Sequence, residues 1–400
     1  MNPSPHDEAG PAAALEPLWT RDFVLLVASS LLLWCGFYLQ LTALPVYIAR
    51  DLGGSSTQVG LLSTLLSFAA MVARPIAGIA LDRFGRRPVH LGTFLLFCLL
   101  TAAHGLPGGL VVLFAVRVLH GFPFGAVTTS FHTVTADLVP ETRRGEGIGY
   151  AGMAGTVATA VAPSIALSLL HNGSFSWVVL AATGLSVAAW LLAVGIRHPQ
   201  VHDPHARLSL SALLEPRVGR LSLVSGLMLI GYGGIISFVT LYAEELGFAQ
   251  PGWFFTVYAL GSLASRPIAG PLFDRRGPRL LVLGSLAVLL ASYLALGGCT
   301  GEMAFLLAGF LLGLGLTSLV LALQTMAVNV VPPARRGAAN ATLFSAVDLG
   351  IGFGSYVLGV AADAAGSYAG MFLIAAGLLL LPAAMFFLWV MPRYERQMAL

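Results

Sequence analysis

Apolar runs long enough to cross a bilayer recur from one end of the chain to the other, each closed by a short stretch rich in charge, glycine or proline. A helix needs roughly 20 such residues to span a hydrocarbon core of about 30 Å. Twelve runs approach or exceed that length: 22–49, 56–81, 89–105, 109–137, 147–170, 175–196, 221–245, 252–273, 280–298, 303–331, 338–364 and 370–391. The regular alternation that a membrane β-barrel requires is absent. Helices satisfy their own backbone groups in lipid, so the pattern predicts an all-α membrane protein with twelve transmembrane helices.

Composition agrees, because 57% apolar and 10% charged residues with a mean hydropathy of +0.85 leave too little polar surface to coat a soluble globule. All 21 basic residues are arginine, and outside the membrane they fall almost entirely in one set of loops: Arg21, the 82–88 loop, Arg143, Arg144, the 197–220 stretch, Arg275, Arg276, Arg279, Arg335, Arg336, Arg393 and Arg396. Only Arg50 lies in an opposite loop. The positive-inside bias then puts both termini in the cytoplasm of a cell whose inner membrane holds the chain. The net charge of +3 follows from this asymmetry and implies no nucleic-acid partner. Residues 1–18 lack the basic and apolar parts of a signal peptide and read as a short tail.

The chain repeats itself. ARPIAGIALDRFGRRP at 73–88 returns as SRPIAGPLFDRRGPRL at 265–280, VPETRRG at 139–145 as VPPARRG at 331–337, and Gly121 as Gly313. Two halves with one plan and one orientation are related by an axis along the membrane normal. The expected division is a tail (1–20), a six-helix half (21–196), a linker (197–220) whose LSLSALL segment suits a surface helix, a second six-helix half (221–392) and a tail (393–400).

GIALDRFGRRP, 78–88, resembles the loop motif between helices 2 and 3 of the major facilitator superfamily, and GPLFDRRGPR, 270–279, resembles its echo between helices 8 and 9. The resemblance covers residues 20–392. Read as residues, Asp82 ends a helix and Gly85 permits a tight turn. The resemblance implies that Asp82 docks at the start of helix 11 near Ala338 and joins Asp137 and Arg144. Such a cluster is a cytoplasmic gate, comprising Asp82, Arg83, Gly85, Arg86, Arg87, Asp137 and Arg144, with Asp274, Arg275, Gly277 and Arg336 in the second copy. Plain positive-inside topology is the competing account of the arginines. The second copy has Pro278 and Asn329 where the first has Arg86 and Asp137.

Charges at membrane depth are costly and mark function by default. Here they are Arg117, His120 and His132 in the fourth run and Asp348 in the eleventh, with Arg74 and Arg266 placed nearer the cytoplasmic ends. Helical spacing puts Arg117, His120, Phe124, Thr128, His132 and Thr135 on one face, expected to line a cavity. RVLHG, 117–121, also resembles a helix 4 motif of the superfamily whose arginine is implicated in proton coupling; the matching position of the second half is Gly309. Phe344, Gly352, Ser355 and Gly359 share the face of Asp348, which reads either as a proton-coupling carboxyl on a cavity wall or as an interhelical hydrogen-bonding group. Trp34, Gln40, Tyr232, Tyr258 and Gln324 are candidate solute contacts or packing residues. GMAGTVATAVAPSIA, 152–166, partly resembles the superfamily's antiporter motif: Gly155 and Pro163 match, while Ala162 and Ala166 replace glycines. Gly155, Pro163, Gly352 and Gly359 serve close helix packing in either case.

Cys35, Cys98 and Cys299 stand apart, and no metal-ligand spacing occurs near the histidines, so neither a metal nor a cofactor is expected. Without a phosphate-binding loop, direct ATP use is not expected either. The predicted activity is transport, not enzymatic: a proton-coupled exporter of a small drug-like or metabolite solute, working as a single chain by alternating access. The cationic fourth run also suits an anionic or zwitterionic amino-acid-derived metallophore of the opine type. A facilitated uptake carrier and, more remotely, a receptor that moves no solute are the rivals.

Overall fold

The computed structural model describes residues 17–106, 108–140, 144–198, 215–332 and 336–398; for a few residues, among them Asp82, Arg144 and Arg336, only the backbone is described. The first half contains α1 (Arg21–Arg50), α2 (Ser56–Phe84), α3 (Arg86–Ala103), α4 (Gly109–Leu138), α5 (Arg144–Asn172) and α6 (Phe175–Val194). The second contains α7 (Gly219–Met228), α8 (Ile230–Glu245), α9 (Trp253–Gly297), α10 (Glu302–Asn329), α11 (Arg336–Ala365), α12 (Tyr368–Met385) and α13 (Met391–Met398). The proposed linker helix at 208–214 lies outside the described residues.

Among the described residues, ten helical spans are long and apolar enough to cross a membrane. One is α9, whose 45 residues would reach about 67 Å if straight, twice a bilayer core. It is a helical hairpin instead. Gly277 breaks it at φ 75°, and both of its ends reach the same stretch of α10: Phe254 lies against Gly309 while Ser292 donates to the Ala308 carbonyl at 2.8 Å. Gly85 makes the equivalent turn between α2 and α3 at φ 88°. Both sit in the left-handed region that glycine tolerates and other residues resist. With the two limbs of α9 taken separately and α3 added, the described residues hold twelve helical segments in the order the sequence predicts.

Local chemistry accounts for three departures from the simplest helix pattern. The loop expected at 274–279 is reduced to a tight turn at Gly277, with helix reaching it from both sides. The run 221–245 is interrupted at Leu229, where close glycine contacts with α11 begin: a Cβ on Gly226 would fall 2.5 Å from the Ala346 carbonyl oxygen. The last run passes through a π-helical turn at Phe386–Val390 before α13.

α1 begins and α6 ends on one face, joined there by the Asp22 carboxylate accepting from the Arg197 amide at 3.1 Å. Bonds between the halves gather on the opposite, far face. Arg50 pairs with Glu244 at 2.9 Å, Ser63 meets Ser237 at 3.0 Å, and Thr256 donates to the Ala160 carbonyl at 2.7 Å. Backbones touch there as well: a Cβ on Gly60 would lie 2.1 Å from the Ser355 carbonyl oxygen, and one on Gly359 2.5 Å from that of Ser56.

Candidate functional site

The small-residue stripe of α11 packs on its neighbours. Gly352 abuts Ser67 of α2, Ser355 donates to the Gly233 carbonyl at 2.9 Å, and Gly359 abuts Ser56. The expected open wall is therefore a helix contact, because small side chains let α2 and α11 close to backbone distance. At its inner end stands Asp348, which receives the Arg74 Nε at 2.8 Å. Arg74 also donates to the Thr128 hydroxyl at 3.3 Å, and exposed His132 is near enough to feel its charge. Arg74, Thr128, His132 and Asp348 thus form one polar group fed by α2, α4 and α11.

Arg74 lies ten residues before the end of α2, about 15 Å along the helix, and so sits in the cytoplasmic half of the span but well inside it. A cation set that deep in an apolar run is the signal by which it was findable.

Aromatic rings stand on both sides of the divide. Phe37 and Phe124 stack with centroids 4.2 Å apart, Trp34 stacks on Tyr38 at 5.7 Å, and Tyr232 stacks on Tyr258 at 6.3 Å. Tyr38 lies near Thr159 and Tyr232. Gln324 is half-buried.

Arg117 and His120 are fully enclosed within the first half, so they line no open wall. Gln40 Nε2 donates to the Thr101 carbonyl at 2.9 Å, and the Thr101 hydroxyl meets His120 Nε2 at 3.1 Å. Because that hydroxyl gives its proton to the Phe97 carbonyl at 2.8 Å, His120 must donate from Nε2, leaving Nδ1 a bare acceptor. His104 gives its Nδ1 proton to the Leu100 carbonyl at 2.8 Å and leaves Nε2 bare. The atoms without a protein partner are then His120 Nδ1, His104 Nε2, Gln40 Oε1 and the three guanidinium nitrogens of Arg117. His104 and His120 lie within reach of the Arg117 charge, which has no carboxylate beside it among the described residues. His104 and Thr101 were not singled out by sequence; the two histidine rings sit 4.9 Å apart.

At the loop between α2 and α3, buried Arg86 pairs with Asp137 at 2.9 Å. The side chains of Asp82, Arg144 and Arg336 lie outside the described residues. Arg83 lies over the Phe84 ring, Arg87 is exposed, and so are Asp274 and Arg275. Gly155 lies beside Trp34, and Pro163 lies within α5.

A far-face acid escaped the sequence reading. Asp363 of α11 accepts from the Ser56 and Thr57 amides at 3.1 and 2.9 Å and from the Thr57 hydroxyl at 2.6 Å. Ser55 and Gln58 cap the same helix start in a capping box, so the second half supplies what the local sequence leaves unsatisfied. No metal-binding cluster of His, Cys, Asp or Glu occurs among the described residues, and the cysteines are free.

A sequence model of the Major Facilitator Superfamily matches residues 26–251 and 221–399. The staphylopine export protein of Staphylococcus aureus (strain Mu50 / ATCC 700699) is 25% identical over 354 residues, 85% of this chain and 89% of that protein. The uncharacterized MFS-type transporter YhhS of Escherichia coli (strain K12) is 27% identical over 355 residues, 85% of each chain. The crystal structure of the nucleoside transporter NupG superposes with a TM-score of 0.75 at 16% identity, covering 92% of this chain and 99% of that one.

Proposed function

The chain belongs to the Major Facilitator Superfamily, and from that premise we propose that this membrane transporter is a proton-coupled exporter of a small organic solute. The observation that carries the proposal is the Arg74–Asp348 pair, 2.8 Å long and set inside the membrane between the two halves. Ionised Asp348 holds α11 to α2 through Arg74. A proton on Asp348 cancels that attraction, so proton binding and release change how firmly the halves are tied, which is what coupling a gradient to alternating access requires. Thr128 and His132, grouped with the pair, supply hydrogen-bonding positions for solute, and the aromatic rings supply apolar contact.

The solute is an anionic or zwitterionic amino-acid derivative of the metallophore kind. Two facts favour this class over a lipophilic cation: a proton on Asp348 leaves Arg74 as a cation beside the hydrogen-bonding His132, and one relative is named for staphylopine export. The arginine distribution supports an inner-membrane orientation with both termini cytoplasmic. One chain supplies both halves, and a monomer suffices.

The test uses liposomes containing the purified protein and an internal pH-sensitive dye, given an imposed proton gradient and either an opine-type metallophore or a lipophilic cation. Proton flux released by the metallophore and lost in Asp348→Asn is the expected result. Solute movement indifferent to the gradient and to that variant makes the protein a facilitated carrier.

A further inference from the structure

We propose that a cavity on the face where α1 begins binds the phosphate headgroup of an anionic phospholipid. The cavity, about 250 Å³, lies between the start of α7, the end of α10 and the last helix, and Arg217, Arg220, Arg393, Trp389 and Tyr394 line it. None of its three arginines has a carboxylate partner among the described residues. Glu215, the acid nearest in sequence, turns its carboxylate to the Arg217 amide, and Glu395 pairs with Arg279 at 3.8 Å.

Arg217 and Arg220 are three residues apart, and Trp389 and Arg393 four, so each pair shares a helical face. The Arg220 guanidinium lies 4.9 Å from the Trp389 ring centroid, a contact that uses the ring face and leaves the guanidinium N–H groups for an acceptor. Planar arginine forks match phosphate oxygens better than any other side chain. The π-helical turn at Phe386–Val390 joins this group to the apolar belt. There, Leu381 is 67% and Leu388 81% exposed, a surface for acyl chains directly beside a cationic cavity. Apolar belt, tryptophan and arginines in that order reproduce tail, interface and headgroup. A soluble phosphate uses only the last of these, and so a lipid fits the whole arrangement.

The experiment is native mass spectrometry of the full-length protein titrated with phosphatidylglycerol or phosphatidylethanolamine. Phosphatidylglycerol is expected to be retained preferentially, and Arg220→Gln/Arg393→Gln to lose that preference by about tenfold. Trp389→Leu, which keeps every charge, should weaken it less, and thermal unfolding checks that each variant is folded. Equal retention of both lipids by the unaltered protein overturns the proposal, as does a preference that survives the double variant. Displacement of phosphatidylglycerol by millimolar glycerol phosphate also overturns it, assigning the cavity to a soluble phosphate.

Discussion

Arg74 and Asp348 are 274 residues apart in sequence and 2.8 Å apart in space, one from each half. Their side chains are 22% and 24% exposed, so water reaches the pair without dissolving it. Removing either partner strands the other charge at membrane depth. Asp348→Asn and Arg74→Gln should each lower the unfolding temperature and reduce proton-driven transport at least about tenfold, whereas the double variant should recover stability but not transport. Unfolding curves in detergent and flux in liposomes check both. Additive losses of stability would mean that the pair carries no coupling energy.

The Asp363 carboxylate joins the halves on the far face by capping α2. Charged caps are worth about 1 kcal/mol, so Asp363→Asn should shift the far-face equilibrium toward opening about fivefold. A cysteine introduced at Ser168, beside the mouth of this face, should then react correspondingly faster with a water-soluble thiol reagent. Gly60→Leu, which drives a side chain into the Ser355 carbonyl, should have the same effect more strongly. Unchanged labelling in both variants contradicts a closing role for these contacts.

Arg117 makes a different prediction because it has no carboxylate to strand. Arg117→Leu removes a buried charge that no carboxylate among the described residues offsets, and stability should hold or rise while transport falls about tenfold or more. An unfolding temperature that drops together with activity would make Arg117 a packing residue.

His198 follows α6 on the face where α1 begins, its ring 5.3 Å from that of His90. Burial holds the His198 imidazole below the ordinary histidine range, and the Arg87 charge adds to this, against pulls from the Ile196 carbonyl and Asp22. The fold therefore prefers neutral His198. Its contribution is fully present above about pH 6.5 and is lost as the pH falls below that value, because the unfolded chain then takes up the proton more readily. His198→Asn should flatten the dependence of unfolding temperature on pH between about 6.5 and 5. An unchanged slope places the titration elsewhere.

Apolar length made the helices legible, and most ends agree within a few residues: 22–49 is Arg21–Arg50, and 109–137 is Gly109–Leu138. The reversal within α9 was legible too, since the runs 252–273 and 280–298 were read as separate crossings and Gly277 makes the turn between them. Asp348 and Arg117 stood out as charges among apolar residues. Their surroundings did not, because which helix meets α11 is decided by glycine-to-backbone contacts such as Gly60 on Ser355, formed by residues nearly 300 positions apart. Helical spacing placed Arg117 and His132 on one face, but a 30-residue helix passes different neighbours along its length. One end of that face is sealed against α3 while the other is open. Asp363 escaped notice because an acid beside a turn is ordinary in sequence, and only the other half gives it a helix start to cap.

At the far-face boundary between α2 and α11, Gly60 meets the Ser355 backbone, Gly359 the Ser56 backbone and Gly352 the Ser67 side chain. Such a boundary works like a smooth bearing at those points: backbones can part there without a side chain being drawn from a socket, and polar bonds such as those of Asp363 to Ser56 and Thr57 help to hold it shut. A machine of that kind needs no large input per stroke, and a solute or proton worth a few kcal/mol is enough to decide which way it faces.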